Sequence, residues 1–255
     1  MQVITSRDNP WVKQSKRLAQ TNNAAYDVGM VWLEGEHLCD AALLRGWTPH
    51  TLVLTEGYER HAVWQARCPQ AKHVGVTASV MAHISGMDSP PQLAMALTLP
   101  VHTAPLPGVA TVVLDRLQDP GNVGSVLRTA SAMGFAQVVA LKGTAALWSP
   151  KVLRSGMGAH FNLRLHEGAD AAALAQLQVP IYATSSHQGQ WLHQTAFEWP
   201  MAWLMGHEGQ GVSQACAAHA KHWVRIGQPG GEESLNVAAA AAICMYASSM
   251  AYLKV

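Results

Sequence analysis

Apolar positions fall into two kinds of run along this chain, short continuous ones and longer ones with a helical period. In the second half, continuous runs predict strands at 111–115, 137–141, 161–165, 180–184, 202–206 and 223–226. Between them, helical patterns predict helices at 123–133, 170–177 and 213–219, then an alanine-rich last helix from 236 to about 253. Strands alternating with helices imply an α/β domain with a largely parallel sheet covered on both faces. Ligands in such a sheet sit at the carboxyl ends of strands.

The first half reads as mixed α/β. Asn9-Pro10 opens a helix carrying Trp11, Leu18 and the basic residues Lys13, Lys16 and Arg17. Val31-Trp32-Leu33 predicts a short strand, residues 37–44 a helix, and residues 51–55 and 72–76 two further strands. TLPVHTAPLPGVA, residues 98–110, has three prolines and no helical period, so it predicts a linker. The expected organisation is a domain over 1–98, a linker over 99–108 and a second domain over 109–255.

Composition narrows the class. A chain with 49% hydrophobic and 13% charged residues can bury a sizeable core. Its formal net charge of +1 lacks the basic surplus of many nucleic-acid binders, so an RNA contact would rest on a local patch or on protonated histidines. Cys39, Cys68, Cys216 and Cys244 form no C-x-x-C pair and read as buried thiols in a reducing compartment. No apolar run follows the first charges, and the longest apolar stretch, 237–247, is too short to span a bilayer. A cytoplasmic protein without membrane association is expected. The small residues of the last helix permit close approach of a partner surface, which predicts a homodimer.

Three loops at strand ends carry the candidate chemistry. In DPGNVGSVLR, Asp119-Pro120-Gly121 turns the chain and Asn122 is placed to cap a helix. Arg128 then lies nearly two turns up that helix. In AWLMGHEGQGVS, Gly206, Gly209 and Gly211 surround His207-Glu208, which lacks the second histidine of a zinc motif, and Ser213 can cap the next helix. In the third loop a Pro-Gly-Gly turn leads to Ser234-Leu235-Asn236 at the start of the last helix, with no nucleophile elbow around Ser234. Neither a P-loop nor a dinucleotide fingerprint is present. Each loop alone also reads as a capped helix or an ordinary glycine turn.

In this order and spacing the loops resemble the motifs N-x-G-x-x-x-R, G-x-E-x-x-G and S-L-N of the SpoU/TrmH branch of the SPOUT methyltransferases. The matching residues are Asn122, Gly124 and Arg128; Gly206, Glu208 and Gly211; and Ser234, Leu235 and Asn236. The resemblance covers roughly residues 109–255, and NPWVKQSKRL, WLEGEHLCDAAL and SPPQLAMA give the first half a weaker similarity to a small α/β RNA-binding domain.

The resemblance implies a doubly wound, mostly parallel sheet with a trefoil knot, and transfer of a methyl group from S-adenosyl-L-methionine to an RNA ribose 2'-hydroxyl. Thr184, Gly206, Ile226, Leu235 and Asn236 would hold the cofactor. Arg128 would act on the ribose through its adjacent phosphate, whose charge a guanidinium matches. Asn122 would orient the hydroxyl, Glu208 and Asn236 would order the site, and Ser234 would assist. No metal is implied. The appended first domain favours ribosomal over transfer RNA. Two positions depart from the pattern: His207 stands where asparagine is usual, and Ile226-Gly227-Gln228 where Ile-Pro-Met is usual. Gly227 loosens a loop that proline would stiffen, which implies weaker cofactor binding. An arginine cluster expected around residues 22–28 is missing.

A different class stays open, a non-catalytic RNA-binding or ribosome-assembly protein that keeps the fold. The near-neutral charge and Gly227-Gln228 motivate it, and the intact Asn122, Arg128, Glu208 and Asn236 oppose it.

Overall fold

The computed structural model describes residues 3–101, 104–230 and 234–253. His102 and Thr103 of the expected linker, and Gly231 of the third loop, lie outside them. Two compact units are present: Met1–Pro100 with Trp148–Phe161, and Val101–Leu147 with Asn162–Val255.

The first unit begins with β1 (Val3–Ile4), α1 (Pro10–Gln20), α2 (Ala24–Val28), β2 (Met30–Glu34) and α3 (Glu36–Leu44). It continues through β3 (Thr51–Thr55), α4 (His61–Arg67), β4 (Lys72–Val76), α5 (Ala78–Ser85) and β5 (Leu93–Thr98). Asn9 starts α1 by accepting the Trp11 N–H at 2.9 Å, with Pro10 in the first turn, where its missing donor costs nothing. The sheet runs β1-β4-β3-β5-β2, with β5 antiparallel to both neighbours and the remaining pairs parallel. Val12, Leu18, Trp32, Val53, Val76 and Ile84 belong to one core cluster of this unit.

Strand β5 is absent from the periodicity reading. Its sequence, LAMALT, is rich in good helix formers. Pairing on both edges, with Leu93–Leu97 buried, overrides that local preference.

The second unit contains β6 (Thr111–Leu114), α6 (Pro120–Ala132) and β7 (Gln137–Leu141). The chain then makes α7 (Pro150–Gly156), which belongs to the first unit, and returns at β8 (Arg164–Ala169). After β9 (Ile181–Thr184) and β10 (Gln190–Trp191) come β11 (Ala202–Met205), α8 (Gln214–Ala217), β12 (His222–Arg225) and α9 (Val237–Tyr252). All seven strands are parallel, in the order β10-β12-β9-β11-β6-β7-β8. The central strands are mostly apolar because both faces are covered, and the buried Gln137 Nε2 donates to the buried Thr111 hydroxyl at 2.8 Å. Val113, Val139, Leu174, Leu204 and Cys216 pack in one cluster, while Ala241, Cys244, Met245 and Ser248 form the buried stripe of α9.

Three expectations need correcting. Residues 161–165 are not one strand: Phe161 lies in a 3-10 turn, Ala159–Asn162, and β8 begins at Arg164. Phe161 and Trp148 instead flank Trp47, with ring centroids 5.5 and 5.9 Å away. Residues 170–177 form a 3-10 helix, Ala171–Leu177, and the helix expected at 213–219 is the single turn of α8. By contacts, Trp148–Phe161 packs with the first unit.

Candidate active site

Sheet register brings the loops together. Leu114 pairs with Met205, Leu204 with Ala183, and Val224 with Thr184, so β6, β11, β9 and β12 end at one edge of the unit. The chain leaves that edge through the three loops singled out from the sequence.

In the first loop the cap is Asp119, not Asn122. Asp119 Oδ1 accepts the Asn122 N–H at 2.8 Å and Pro120 occupies the first turn. Asn122 therefore sits inside α6, and its side chain is released from capping. Val123, Val126, Leu127 and Ala130 bury the inner face of the helix. Arg128 is exposed on the outer face and makes no ion pair or hydrogen bond with the described residues.

The freed Asn122 carboxamide joins all three loops. Its Nδ2 donates to Glu208 Oε1 at 3.3 Å, and its Oδ1 accepts from Asn236 Nδ2 at 3.0 Å. Asn236 caps α9, its Oδ1 accepting the N–H groups of Ala238 at 2.8 Å and Ala239 at 3.3 Å. Glu208 also accepts the backbone N–H groups of Gln118 and Asp119, at 3.4 and 3.3 Å. Partial burial pushes the Glu208 carboxyl up, but its own loop N–H, the Asn122 amide and the Asp119 and Gln118 N–H groups together hold it below the usual glutamate range. Donors from three distant segments thus converge on one carboxylate and one amide.

The second loop is folded tightly on itself. A Cβ on Gly206 would come within 2.3 Å of Gly211 C and Val212 N, so glycine is required there by the loop's own backbone. His207 and Gly211 exchange backbone hydrogen bonds at 3.0 and 2.9 Å. His207 Nδ1 accepts the N–H groups of Gly209 and Gln210 at 3.0 and 3.2 Å. An asparagine Oδ1 occupies the same place along a side chain, so the histidine offers the turn-holding acceptor that an asparagine at this position would offer.

Asp115 and Arg116, not singled out from the sequence, support this loop. The buried Asp115 accepts the Ser213 N–H at 2.6 Å and Arg116 Nε at 3.1 Å, while Arg116 Nη1 donates to Gln210 at 3.1 Å. Their signal in the sequence is a charged pair closing the apolar run TVVL.

Beside β12 lies a cleft of about 310 Å³, lined by Ile226, Gly227, Gln228, Pro229, Gly230, Leu235 and Ile243. It joins two of the expected cofactor residues, Ile226 and Leu235. Thr184 ends the adjacent β9, with its hydroxyl donating to Leu204 O at 3.3 Å, and Gly206 follows β11; neither lines this cleft. Ser234 is exposed, next to Leu235. Among the described residues no group of three His, Cys, Asp or Glu side chains could hold a metal ion.

This arrangement agrees with comparisons with known proteins. Residues 110–246 match the SpoU rRNA Methylase family and residues 9–95 an MRM3-like substrate binding domain. An uncharacterized tRNA/rRNA methyltransferase of Synechocystis is 33% identical over 95% of this chain and 92% of its own length. The 23S rRNA (guanosine(2553)-2'-O)-methyltransferase RlmP of Bacillus subtilis is 29% identical over 96% of this chain and 98% of its own. A crystal structure of an AdoMet-bound rRNA methyltransferase from Sinorhizobium meliloti superposes with a TM-score of 0.88 at 26% identity, covering 100% of this chain and 99% of that one. With its sheet, its three converging loops and matches along nearly its whole length, the chain belongs to the SpoU rRNA methylase family.

Proposed function

We propose that this protein transfers the methyl group of S-adenosylmethionine to a ribose 2'-hydroxyl of ribosomal RNA. The observation that carries the reading is the hydrogen-bonded set Asn236–Asn122–Glu208, which joins three loops at the carboxyl ends of a parallel sheet. The similarity to 23S rRNA 2'-O-methyltransferases and to an AdoMet-bound enzyme supports both substrate and cofactor.

The cleft suits the cofactor. Ile226, Leu235 and Ile243 offer aliphatic walls to a purine, and the buried Gln228 Oε1 has no hydrogen-bond partner among the described residues. Thr184 and Gly206, ending the neighbouring strands, extend that binding edge, and Asn236 links it to the ribose side. The cofactor brings a methyl group already activated by its positive sulfur. The chain's residues are left with positioning. Arg128, free on the outer face of α6, clamps the phosphate next to the target ribose. Asn122 orients the 2'-hydroxyl, and Glu208 and Asn236 hold Asn122 through its two amide atoms. Ser234, beside Leu235, assists as a polar contact.

Residues 1–98, which fall within the first unit, are the RNA-binding part of this reading. Arg7 and, on α1, Lys16, with Lys13 paired to Asp8 at 3.1 Å, supply the cationic groups we assign to RNA contact. Residues 99–108 link it to the catalytic domain over 109–255, whose chain we expect to be knotted. The outward stripe of α9, with Ile243 41%, Tyr246 58% and Met250 39% exposed, is the surface of a homodimer, and Ile243 carries that surface to the lip of the cleft. The protein works in the cytoplasm. No described helix is long and apolar enough to cross a membrane.

The test is transfer of labelled methyl from S-adenosylmethionine to ribosomal RNA by the purified protein. Label at one ribose, recovered as an alkali-resistant dinucleotide, is the expected result. Label on a base, or none on any ribosomal RNA, overturns the reading. RNA binding without transfer would favour the non-catalytic alternative.

A further inference from the structure

Gln228 is a buried acceptor in an apolar setting. It follows β12 by three residues, and its side-chain Oε1 is buried without a hydrogen-bond partner among the described residues. Buried polar atoms are nearly always paired, so an orphan lining a cleft points to a donor supplied from outside the chain. The other cleft-lining residues are Ile226, Gly227, Pro229, Gly230, Leu235 and Ile243. They offer aliphatic side chains or bare backbone, and none has a polar side chain. The occupant therefore presents flat or apolar surface to most of the cleft and a polar edge to Gln228.

An adenine ring has that form. A carboxamide places an acceptor and a donor side by side, the pattern that pairs with the exocyclic amine and adjacent ring nitrogen of adenine. With the amide oriented as it is here, Oε1 buried at the cleft, a base with a carbonyl oxygen in place of the amine would set acceptor against acceptor. We propose that Gln228 reads the adenine edge of the cofactor, accepting its exocyclic N–H at Oε1, and makes the cleft selective for adenosyl over inosyl ligands. This rests on the cofactor reading above and deepens it by naming the side chain that recognises the base.

Calorimetry on the full-length protein tests it with S-adenosylhomocysteine and S-inosylhomocysteine. Wild type is expected to favour the adenosyl ligand by about tenfold or more, the range of one well-buried hydrogen bond. Gln228→Leu should weaken the adenosyl ligand by about tenfold, leave the inosyl ligand within about twofold and so collapse the preference. Equal losses for both ligands would put Gln228 against the ribose or amino-acid portion, and no loss would remove it from the contact; either overturns the proposal. Without ligand, the variant should melt at or above the wild-type Tm, because leucine removes an unsatisfied acceptor. A lower Tm would mean that the amide has a structural partner and would also overturn it. Wild type that binds neither ligand at millimolar concentration would sink the cofactor reading itself. Tight adenosyl binding with an unchanged preference in the variant would sink only the role of Gln228.

Discussion

Arg128 stands apart from the other site residues because nothing described in the protein holds its guanidinium. An arginine that binds only the substrate phosphate should matter to transfer and not to the cofactor. Arg128→Ala is expected to lower methyl transfer by about 100-fold or more while S-adenosylmethionine affinity stays within about twofold, by kinetics and calorimetry in parallel. Glu208 acts inside the protein. Its carboxyl is held below the usual range, so its ionised form contributes order above that range, and the contribution is lost as pH falls through the depressed value. The stability difference between wild type and Glu208→Gln should therefore stay constant above the ordinary glutamate range, about pH 4.3, and shrink as pH falls from there through the depressed value. A difference that fades at neutral pH would contradict this. Gly206→Ala would drive a Cβ into the backbone of Gly211 and Val212, and should destabilise the protein by about 1–3 kcal/mol in denaturant unfolding.

At the scale of elements, the first and second loops are built on short polar devices readable from sequence once their partners are known. Asp119 caps α6, and Asp119→Ala should cost about 1 kcal/mol of stability. The capping role falls to Asp119 because Pro120 suits the first helical turn, which puts Asn122 at the third helical position. His207 offers a second test. If its value is the Nδ1 acceptor, His207→Asn should retain activity within about twofold, whereas His207→Leu, with two loop N–H groups unpaired, should lose about tenfold. Equal behaviour of the two variants would refute that account. Strand β5 and the turn at Phe161 escaped the pattern for the opposite reason. LAMALT carries no local strand preference, and its state is set by β3 and β2 on either side.

For the whole molecule, the proposed homodimer rests on the outward stripe of α9. Tyr246→Glu with Met250→Glu should yield monomers in sedimentation at micromolar concentration, because two charges would be desolvated in an apolar interface. A dimer unchanged by both substitutions would move the interface elsewhere. Local chemistry was enough to specify most of the alternating strands and helices of the second unit and the loops at their ends, since periodicity, capping and turn preference act over a few residues. The resemblance of the three loops, taken together, singled out Asn122, Glu208 and Asn236. Long-range packing alone sets the rest. The bonds from Asn122 to Glu208 and Asn236 span 86 and 114 residues. The use of Trp148–Phe161 by the first unit, the support of Ser213 by Asp115 and the orphaned acceptor of Gln228 likewise depend on segments far apart in sequence. Register along the shared sheet edge fixes where such segments meet, and no short window of the chain contains that information.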